Sequence, residues 1–211
     1  EKNGYRILLC NSGADIARSR SSLQLLSGKM VDGIITMDAF SKLPELSQLI
    51  GKAPWVQCAE HDDNGQISCV GIDDDVAAQS VVHYLAGQGR QRIALINHDL
   101  RYRYARLRQQ GYAYQLKEQQ LAWQAIAYAS ELSFSAGKAA MNQLLAGETR
   151  PDAVFAVSDT LAAGAMAAIQ QAGLRIPQDI AVVGFDGSEL ADMVSPPLTT
   201  LAQPSREIGR R

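Results

Sequence analysis

The segment from Ala153 to Asp186 constrains the fold most, because it has the pattern of a strand, a helix and a second strand. Its two apolar runs, Ala153 to Val157 and Ile180 to Val183, are short, rich in valine and bounded by turn residues. Such runs are typical of strands buried on both faces of a parallel sheet. Between them, apolar residues recur at helical spacing, and Ser158 and Asp159 offer an N-cap. The segment therefore predicts a βαβ unit.

Polar residues follow both strands of this unit. Ser158 and Asp159 come after the first strand, and Asp186 closes the second. In open α/β sheets, ligands bind outside the carboxyl ends of the strands, so these three side chains are the first candidates for ligand contact. The alternative is a local capping role, which we favour for Asp159. For Asp186, which precedes Gly187, a ligand contact and a turn role stay equally open.

The rest of the chain alternates strands and helices in the same way. The further predicted strands are Tyr5–Cys10, Gly33–Met37, Trp55–Ala59, Ser68–Ile72, Arg92–Ile96, Ala122–Tyr128 and a strand from Leu198. The further predicted helices are Ile16–Leu26, Leu43–Ile50, Asp73–Leu85, Tyr104–Glu118, Ser135–Leu145 and a last helix opened by Pro204. This alternation predicts an α/β fold in which parallel sheets are flanked by helices on both faces.

Charge and motif content narrow the function classes. The chain has 20 basic and 22 acidic residues, so its net charge of -2 gives no excess of positive charge for direct binding of nucleic acid. The sequence contains no glycine-rich nucleotide loop, nucleophile elbow or clustered histidines. Ser158, His98 and Asp186 all follow strands, but that placement fits a polar binding cleft as well as a catalytic triad. We expect a binding protein without enzyme activity, cofactor or metal.

The cysteines and the hydropathy pattern bear on the compartment. Cys10, Cys58 and Cys69 form no CxxC pair, and free thiols suit a reducing, cytoplasmic setting. No apolar run approaches the roughly 18 residues that a membrane-spanning helix needs. We therefore expect no membrane partner.

Arg108 is the arginine that we single out from the polar stretch Arg101 to Tyr112. It lies one helical turn from both Tyr104 and Tyr112, so an aromatic ring on either side could fix its guanidinium toward a ligand. Arg101 and Arg103, in contrast, are expected to be solvated arginines at a helix start.

Three segments, in order and at their spacing, resemble the effector-binding core of LacI/GalR-type transcriptional repressors. They are RLRQQGY (106–112), PDAVFAVSDTLAAGAMAAIQQAGLRIPQDIAVVGFDGSE (151–189) and PPLTTLAQP (196–204). The resemblance covers nearly the whole chain. It implies a two-lobed periplasmic-binding-protein-like fold of type I, a small effector in the cleft, and a homodimer whose helix-turn-helix heads bind operator DNA. The head, and a first strand and helix, are expected to precede Tyr5 and to be absent from this chain.

The resemblance also implies lobe limits and site residues. Residues 1–70 with 203–211 would form the N-terminal lobe and residues 71–202 the C-terminal lobe, with crossovers near Gly71–Asp73 and Leu201–Gln203. Arg108, Ser158 and Asp186 match positions that contact the effector in the family. This chain departs from the pattern where relatives carry a stacking aromatic, since Leu132 stands there with Phe134 nearby, and where they carry a polar residue, since Ala59 is followed by Glu60. The further effector contacts that we expect are Tyr112, Leu132, Phe134 and Glu60.

The effector class follows from the same resemblance. The segments ELSFSAGKAAM and LTTLAQPSREIG are most similar to the cytidine-responsive branch of the family, which implies a nucleoside effector. The family at large also binds sugars. A periplasmic solute-binding protein for a sugar or nucleoside is the alternative, because it would have the same fold. The unpaired cysteines and the PPLTTLAQP segment favour the repressor.

Overall fold

The structure is a computed structural model that describes residues 4–11, 15–26, 31–37, 48, 50, 53–61 and 67–211. Its contacts divide the chain into two compact units, Glu1–Gly71 and Ile72–Arg211. We describe each unit by itself. The predicted lobe limits, including the assignment of residues 203–211 to the N-terminal lobe, stay a prediction.

The first unit contains a small parallel sheet. Helix α1 (Ile16–Leu26) is followed by strands β1 (Ile34–Thr36), β2 (Trp55–Cys58) and β3 (Ser68–Val70), which are arranged in the order β1-β2-β3. Asp15 caps the N-terminus of α1, since its carboxylate accepts hydrogen bonds from the backbone N–H groups of Ala17 and Arg18 at 2.8 and 3.0 Å. Leu23, Ile34 and Ile50 form the buried core of this unit.

The predicted strand Tyr5–Cys10 was wrong. These residues have no strand conformation, and Ile7 and Leu9 are 88% and 90% exposed. An apolar run becomes a strand only when a neighbouring strand offers its backbone groups, and in the described residues β1 pairs with β2 alone. The predicted helix Leu43–Ile50 lies largely outside the described residues.

The second unit is a five-stranded sheet covered by helices. Its strands are β4 (Ile93–Asn97), β5 (Ala125–Tyr128), β6 (Ala153–Ala156), β7 (Ala181–Asp186) and β8 (Thr199–Ala202). Its helices are α2 (Asp74–Gly87), α3 (Arg103–Glu118), α4 (Phe134–Leu145), α5 (Asp159–Gln171) and the short α6 (Leu190–Met193) and α7 (Ser205–Ile208). All strand pairs are parallel, in the order β5-β4-β6-β7-β8.

The core of this unit confirms the predicted α/β class and the predicted βαβ unit. Every residue of β4 and β6 is buried, as expected for central strands with helices on both faces. Helix α5 connects β6 to β7, and the three elements lie where the apolar runs of Ala153–Asp186 predicted them. Because all five strands are parallel, their carboxyl ends meet at one edge, which we call the carboxyl edge of the sheet. No helix in the described residues is long and apolar enough to cross a membrane.

Candidate functional site

Arg108 lies buried beside the carboxyl edge, and its position is set by three elements. Its Nε and Nη2 atoms each donate to Oδ1 of Asp74 at 2.8 Å, and Nη1 donates to the backbone oxygen of Val157 at 2.7 Å. The side chain is 5% exposed. These bonds use three of the five N–H groups of the guanidinium, and among the described residues the other two have no partner. They remain available to a ligand.

Two aromatic rings lie against this guanidinium. The Cζ atom of Arg108 lies 3.4 Å from the ring centroid of Phe185 and 4.9 Å from that of Tyr104. A cation over an aromatic face is stabilised by the ring quadrupole, and more strongly when water is excluded. The prediction that an aromatic ring would fix Arg108 therefore holds for Tyr104, and Phe185 adds a contact that sequence reasoning missed.

Tyr112, the other aromatic residue predicted to flank Arg108, lies elsewhere. It is fully buried, and its hydroxyl donates to the backbone oxygens of Ile93 and Ala125 at 2.7 and 3.4 Å. Those residues begin β4 and β5, so Tyr112 lies at the amino ends of the strands, whereas the candidate site lies at their carboxyl ends. Burial raises the pKa of the Tyr112 phenol. This placement corrects the expectation that Tyr112 would contact an effector.

Asp74 is the site residue that the sequence analysis did not single out. It is the first residue of α2, it is 4% exposed, and its carboxylate is the counter-ion of Arg108. The three consecutive aspartates 73–75 follow a strand at a helix start, where the helix dipole favours any acidic residue, so the sequence did not distinguish Asp74 from its neighbours. Asp73 and Asp75 have local roles: Asp73 caps α2 by accepting from the N–H of Val76, and Asp75 accepts from the side-chain amide of Gln79 in the same helix.

Close packing of α2 against α3 makes this ion pair possible. Gly111 lies one residue before Tyr112 on α3, and a Cβ atom at that position would overlap the backbone oxygen of Asp75. A side chain at 111 would therefore push the first turn of α2 away from α3. The glycine brings Asp74 and Arg108 to hydrogen-bond distance.

Ser158 and Asp159 follow β6 at the same edge, and both have hydrogen-bond partners within the second unit. The Ser158 hydroxyl caps α5 by accepting from the N–H of Leu161 at 3.2 Å. Asp159 is 1% exposed, and its two carboxylate oxygens accept from the backbone N–H and hydroxyl of Ser188 and from the hydroxyl of Thr200. Asp159 thus ties the loop after β7 and strand β8 to the start of α5, whereas the capping role that we favoured for it belongs to Ser158. Ser158 keeps its hydroxyl proton for donation.

Asp186 closes β7 with an unusual backbone. Its φ of 116° is positive, a region that residues with a Cβ rarely adopt. The Nε2 atom of Gln203 donates to its Oδ1 at 2.7 Å, and in the described residues Oδ2 has no hydrogen-bond partner. Burial raises the pKa of the Asp186 carboxyl, while the bond from Gln203 and the positive charge of Arg108 act in the opposite direction. A strained, half-buried carboxylate with a free oxygen is typical of a ligand-binding position.

The other predicted contacts are placed as follows. Leu132 and Phe134 are 45% and 50% exposed and follow β5, next to β4 at the carboxyl edge. Glu60 belongs to the first unit, where it is buried just after β2 and follows Ala59, whose φ is 63°. Their contact with an effector stays a prediction. The described residues contain no cluster of three or more His, Cys, Asp or Glu side chains that could hold a metal ion.

The catalytic alternative is not supported by the hydrogen bonds at this edge. The Nδ1 atom of His98 lies 2.6 Å from the hydroxyl of Tyr104, and the Ser158 hydroxyl caps α5. No hydrogen bond in the described residues joins Ser158, His98 and Asp186 to one another. A nucleophile with its base is therefore absent from this set of residues.

The fold is that of an α/β domain of the periplasmic-binding-protein-like class, with a polar carboxyl edge. The family model for the periplasmic binding protein-like domain matches residues 82–211. The ribose operon repressor of Haemophilus influenzae is 35% identical over 219 residues, which cover all of this chain and 64% of that protein. The chain thus spans 64% of the length of these curated relatives.

Solved structures agree with this assignment. An uncharacterized protein from Actinobacillus succinogenes is 57% identical with a TM-score of 0.94 (99% of this chain, 76% of that one). A LacI-family regulatory protein from Chloroflexus aggregans is 30% identical with a TM-score of 0.80 (96% and 72%). The lac repressor dimer bound to operator and the anti-inducer ONPF is 28% identical with a TM-score of 0.84 (95% and 69%). The chain belongs to the LacI family, and it comprises a periplasmic-binding-protein-like domain of that family.

Proposed function

We propose that this chain is the effector-binding and dimerisation part of a DNA-binding transcriptional repressor, and that its effector is a small hydroxylated molecule, a nucleoside or a sugar. The observation that carries the proposal is the pair of Arg108 and Asp186 at one sheet edge. The carboxylate can accept from two ligand hydroxyls, and the guanidinium has two N–H groups left to donate to ligand oxygens. Such a fixed donor and acceptor pair suits a polyhydroxylated ligand.

The named relatives support the same class. They include a ribose operon repressor and a lac repressor dimer bound to operator, so a sugar-containing effector, an operator and a homodimer are proposed for this protein as well. Operator contact would come from residues outside these 211, in keeping with the net charge of -2. A cytoplasmic location and the absence of enzyme activity follow from the repressor role. The repressor relatives favour this function over that of a periplasmic solute-binding protein.

The site residues differ in their proposed contributions. Asp186 and Arg108 provide the charged hydrogen bonds, and Ser158 adds its hydroxyl proton. Leu132, Phe134 and Glu60 are proposed as further effector contacts on the strength of the family resemblance alone. Effector binding acts by population shift: it stabilises one conformation of the repressor over another and so changes operator affinity without any covalent step.

A ligand panel tests this function. Thermal unfolding is measured with D-ribose, D-glucose, cytidine and adenosine, since a ligand at about one hundred times its dissociation constant stabilises a fold by roughly 2.7 kcal/mol. We expect at least one compound to raise the melting temperature of the parent and to lose most of its effect in Asp186→Asn. Asp192→Asn, which changes an exposed aspartate of α6, is the matched control and should respond like the parent. No shift with any compound would contradict the proposal.

A further inference from the structure

We propose that His98 is a positioning residue of the effector site: its neutral imidazole accepts the hydroxyl proton of Tyr104 and thereby holds the Tyr104 ring against the Arg108 guanidinium. The inference about effector affinity rests on the proposed function. The inference about the three side chains does not, because it can be tested in the protein without ligand.

His98 is held rigidly at the carboxyl end of β4. It is 7% exposed, and its backbone N–H donates to Oδ1 of Asn97 at 2.8 Å. Asn97 is fully buried, and its Nδ2 atom donates to the backbone oxygen of Ala105 and to Oε1 of Gln109, both on α3. The end of β4 and the first turns of α3 are therefore fixed to each other before any ligand binds.

The imidazole lies in an aromatic stack. Its ring centroid is 4.7 Å from that of Tyr102, with an angle of 15° between the planes, and 6.1 Å from that of Tyr104. The 2.6 Å separation of His98 Nδ1 and the Tyr104 hydroxyl fixes the tyrosine at its far end. The face of the same ring covers Arg108 at 4.9 Å. The hydrogen bond at the Tyr104 hydroxyl therefore fixes which part of the guanidinium the tyrosine ring covers and which part a ligand can reach.

Protonation state decides the direction of this hydrogen bond. In the neutral Nε2–H tautomer Nδ1 accepts from Tyr104, and the other nitrogen can donate to the backbone of Ser130. In the imidazolium form both nitrogens donate, so Nδ1 can no longer accept the Tyr104 hydroxyl proton. The charged and titratable groups facing the ring are Asp99, Arg101, Tyr102 and Tyr104.

The surroundings favour the neutral form. Burial lowers the pKa of the His98 imidazole, and the charge of Arg101 acts in the same direction, whereas Asp99 and the Ser130 backbone oppose it. Arg101 and Asp99 are themselves paired at 2.6 Å, so the ring faces charges of both signs. Near pH 7 the neutral imidazole, which the proposed hydrogen bond requires, is therefore favoured.

The first arm of the test uses NMR on the ligand-free protein. Long-range ¹H–¹⁵N spectra of the histidine rings should show His98 as the Nε2–H tautomer, and the Nε–H signal of Arg108 should shift as His98 titrates. Tyr104→Phe removes the hydroxyl but keeps the ring, and it should change the tautomer balance of His98. His83→Asn, at an exposed histidine of α2, is the matched control and should leave both signals unchanged. An Nδ1–H tautomer, or a His98 signal that ignores Tyr104→Phe, would overturn the proposal.

The second arm measures affinity for D-ribose and cytidine by isothermal titration. His98→Leu, which lacks an acceptor, should weaken binding of the active probe about tenfold, and His98→Asn, which places an oxygen near the position of Nδ1, should restore most of it. Affinity of the parent should fall as His98 becomes protonated, but affinity of His98→Asn should not.

Equal affinity in all three proteins would contradict the positioning role. If neither probe binds the parent, the proposed function loses its support, while the NMR arm still decides whether His98 positions Tyr104.

Discussion

Arg108 and Asp74 form a buried ion pair in which two guanidinium nitrogens donate to the same carboxylate oxygen, each at 2.8 Å. The two residues are 34 positions apart and lie on different helices, so the pair joins α2 to α3 beside the proposed effector site. The arrangement fixes the donor that a ligand would meet, and it makes the site dependent on the packing of the two helices.

Asp74→Ala should destabilise the protein strongly, because it leaves the Arg108 cation buried without its counter-ion. Removal of one member of a buried pair typically costs about 3–5 kcal/mol. Urea unfolding followed by circular dichroism measures the loss. Asp75→Asn, a change in the same helical turn, serves as the control. A loss below about 1 kcal/mol in Asp74→Ala would mean that the pair contributes little.

Gly111→Ala should separate α2 from α3, because its Cβ would overlap the backbone oxygen of Asp75. Overpacking of this kind typically costs about 1–3 kcal/mol. Gly87→Ala is the matched control: a Cβ at that position meets no atom within 4 Å, and a helical alanine is favoured over glycine by roughly 0.5–1 kcal/mol. The two substitutions should change the free energy of unfolding in opposite directions. A Gly111→Ala protein as stable as the parent would refute the close-approach argument.

Asp186→Asn should weaken effector binding about ten- to a hundredfold, since hydrogen bonds to charged groups contribute roughly 1.5–3 kcal/mol. The same change should raise the stability of the ligand-free protein at neutral pH. The folded-state pKa of Asp186 is raised, so its ionisation opposes folding above that pKa, and this penalty disappears below the unfolded value of 3.8. Melting curves of both proteins at pH 7 and near pH 3.5 should therefore differ at pH 7 and converge in acid. An early-melting Asp186→Asn with parental affinity would identify Asp186 as a turn residue only.

His98 should make stability depend on pH near neutrality. Its folded-state pKa lies below the ordinary 6.5, so the folded protein binds fewer protons than the unfolded chain. Its contribution is then fully present above about pH 6.5 and is lost as the pH falls toward the folded-state pKa. Unfolding free energies between pH 8 and pH 5 should decline more in the parent than in His98→Asn. If the free energy of unfolding varied with pH in the same way in both proteins, His98 would have the same pKa in the folded and the unfolded state.

The strands and helices of the second unit could be predicted from the sequence because their apolar residues are strongly periodic. The apolar runs around Val154 and Val182 and the helix between them predicted β6, α5 and β7 in place. The carboxyl ends of parallel strands meet at one edge, so Ser158 and Asp186 were predicted to share that edge without knowledge of any contact. Helix α1 also begins at Ile16 and ends at Leu26, as predicted.

What the sequence did not predict depends on contacts between distant elements. Tyr104 and Tyr112 are equally spaced from Arg108, but α3 runs back toward the amino ends of the strands, so only Tyr104 lies at the carboxyl edge. Asp74 acts through a partner on another helix, which no local pattern reveals. The run Tyr5–Cys10 has the composition of a strand, yet strand formation requires a partner that composition cannot supply.

Isothermal titration of the parent with D-ribose, D-glucose, cytidine and adenosine tests the central claim most directly, together with Asp186→Asn and Arg108→Lys. The lysine keeps the charge but loses the planar donor fork that contacts Asp74 and Val157. The account predicts saturable binding of at least one compound to the parent and at least about tenfold weaker binding to each variant. Saturable binding with the same affinity in all three proteins, or no binding of any compound to the parent, would contradict it.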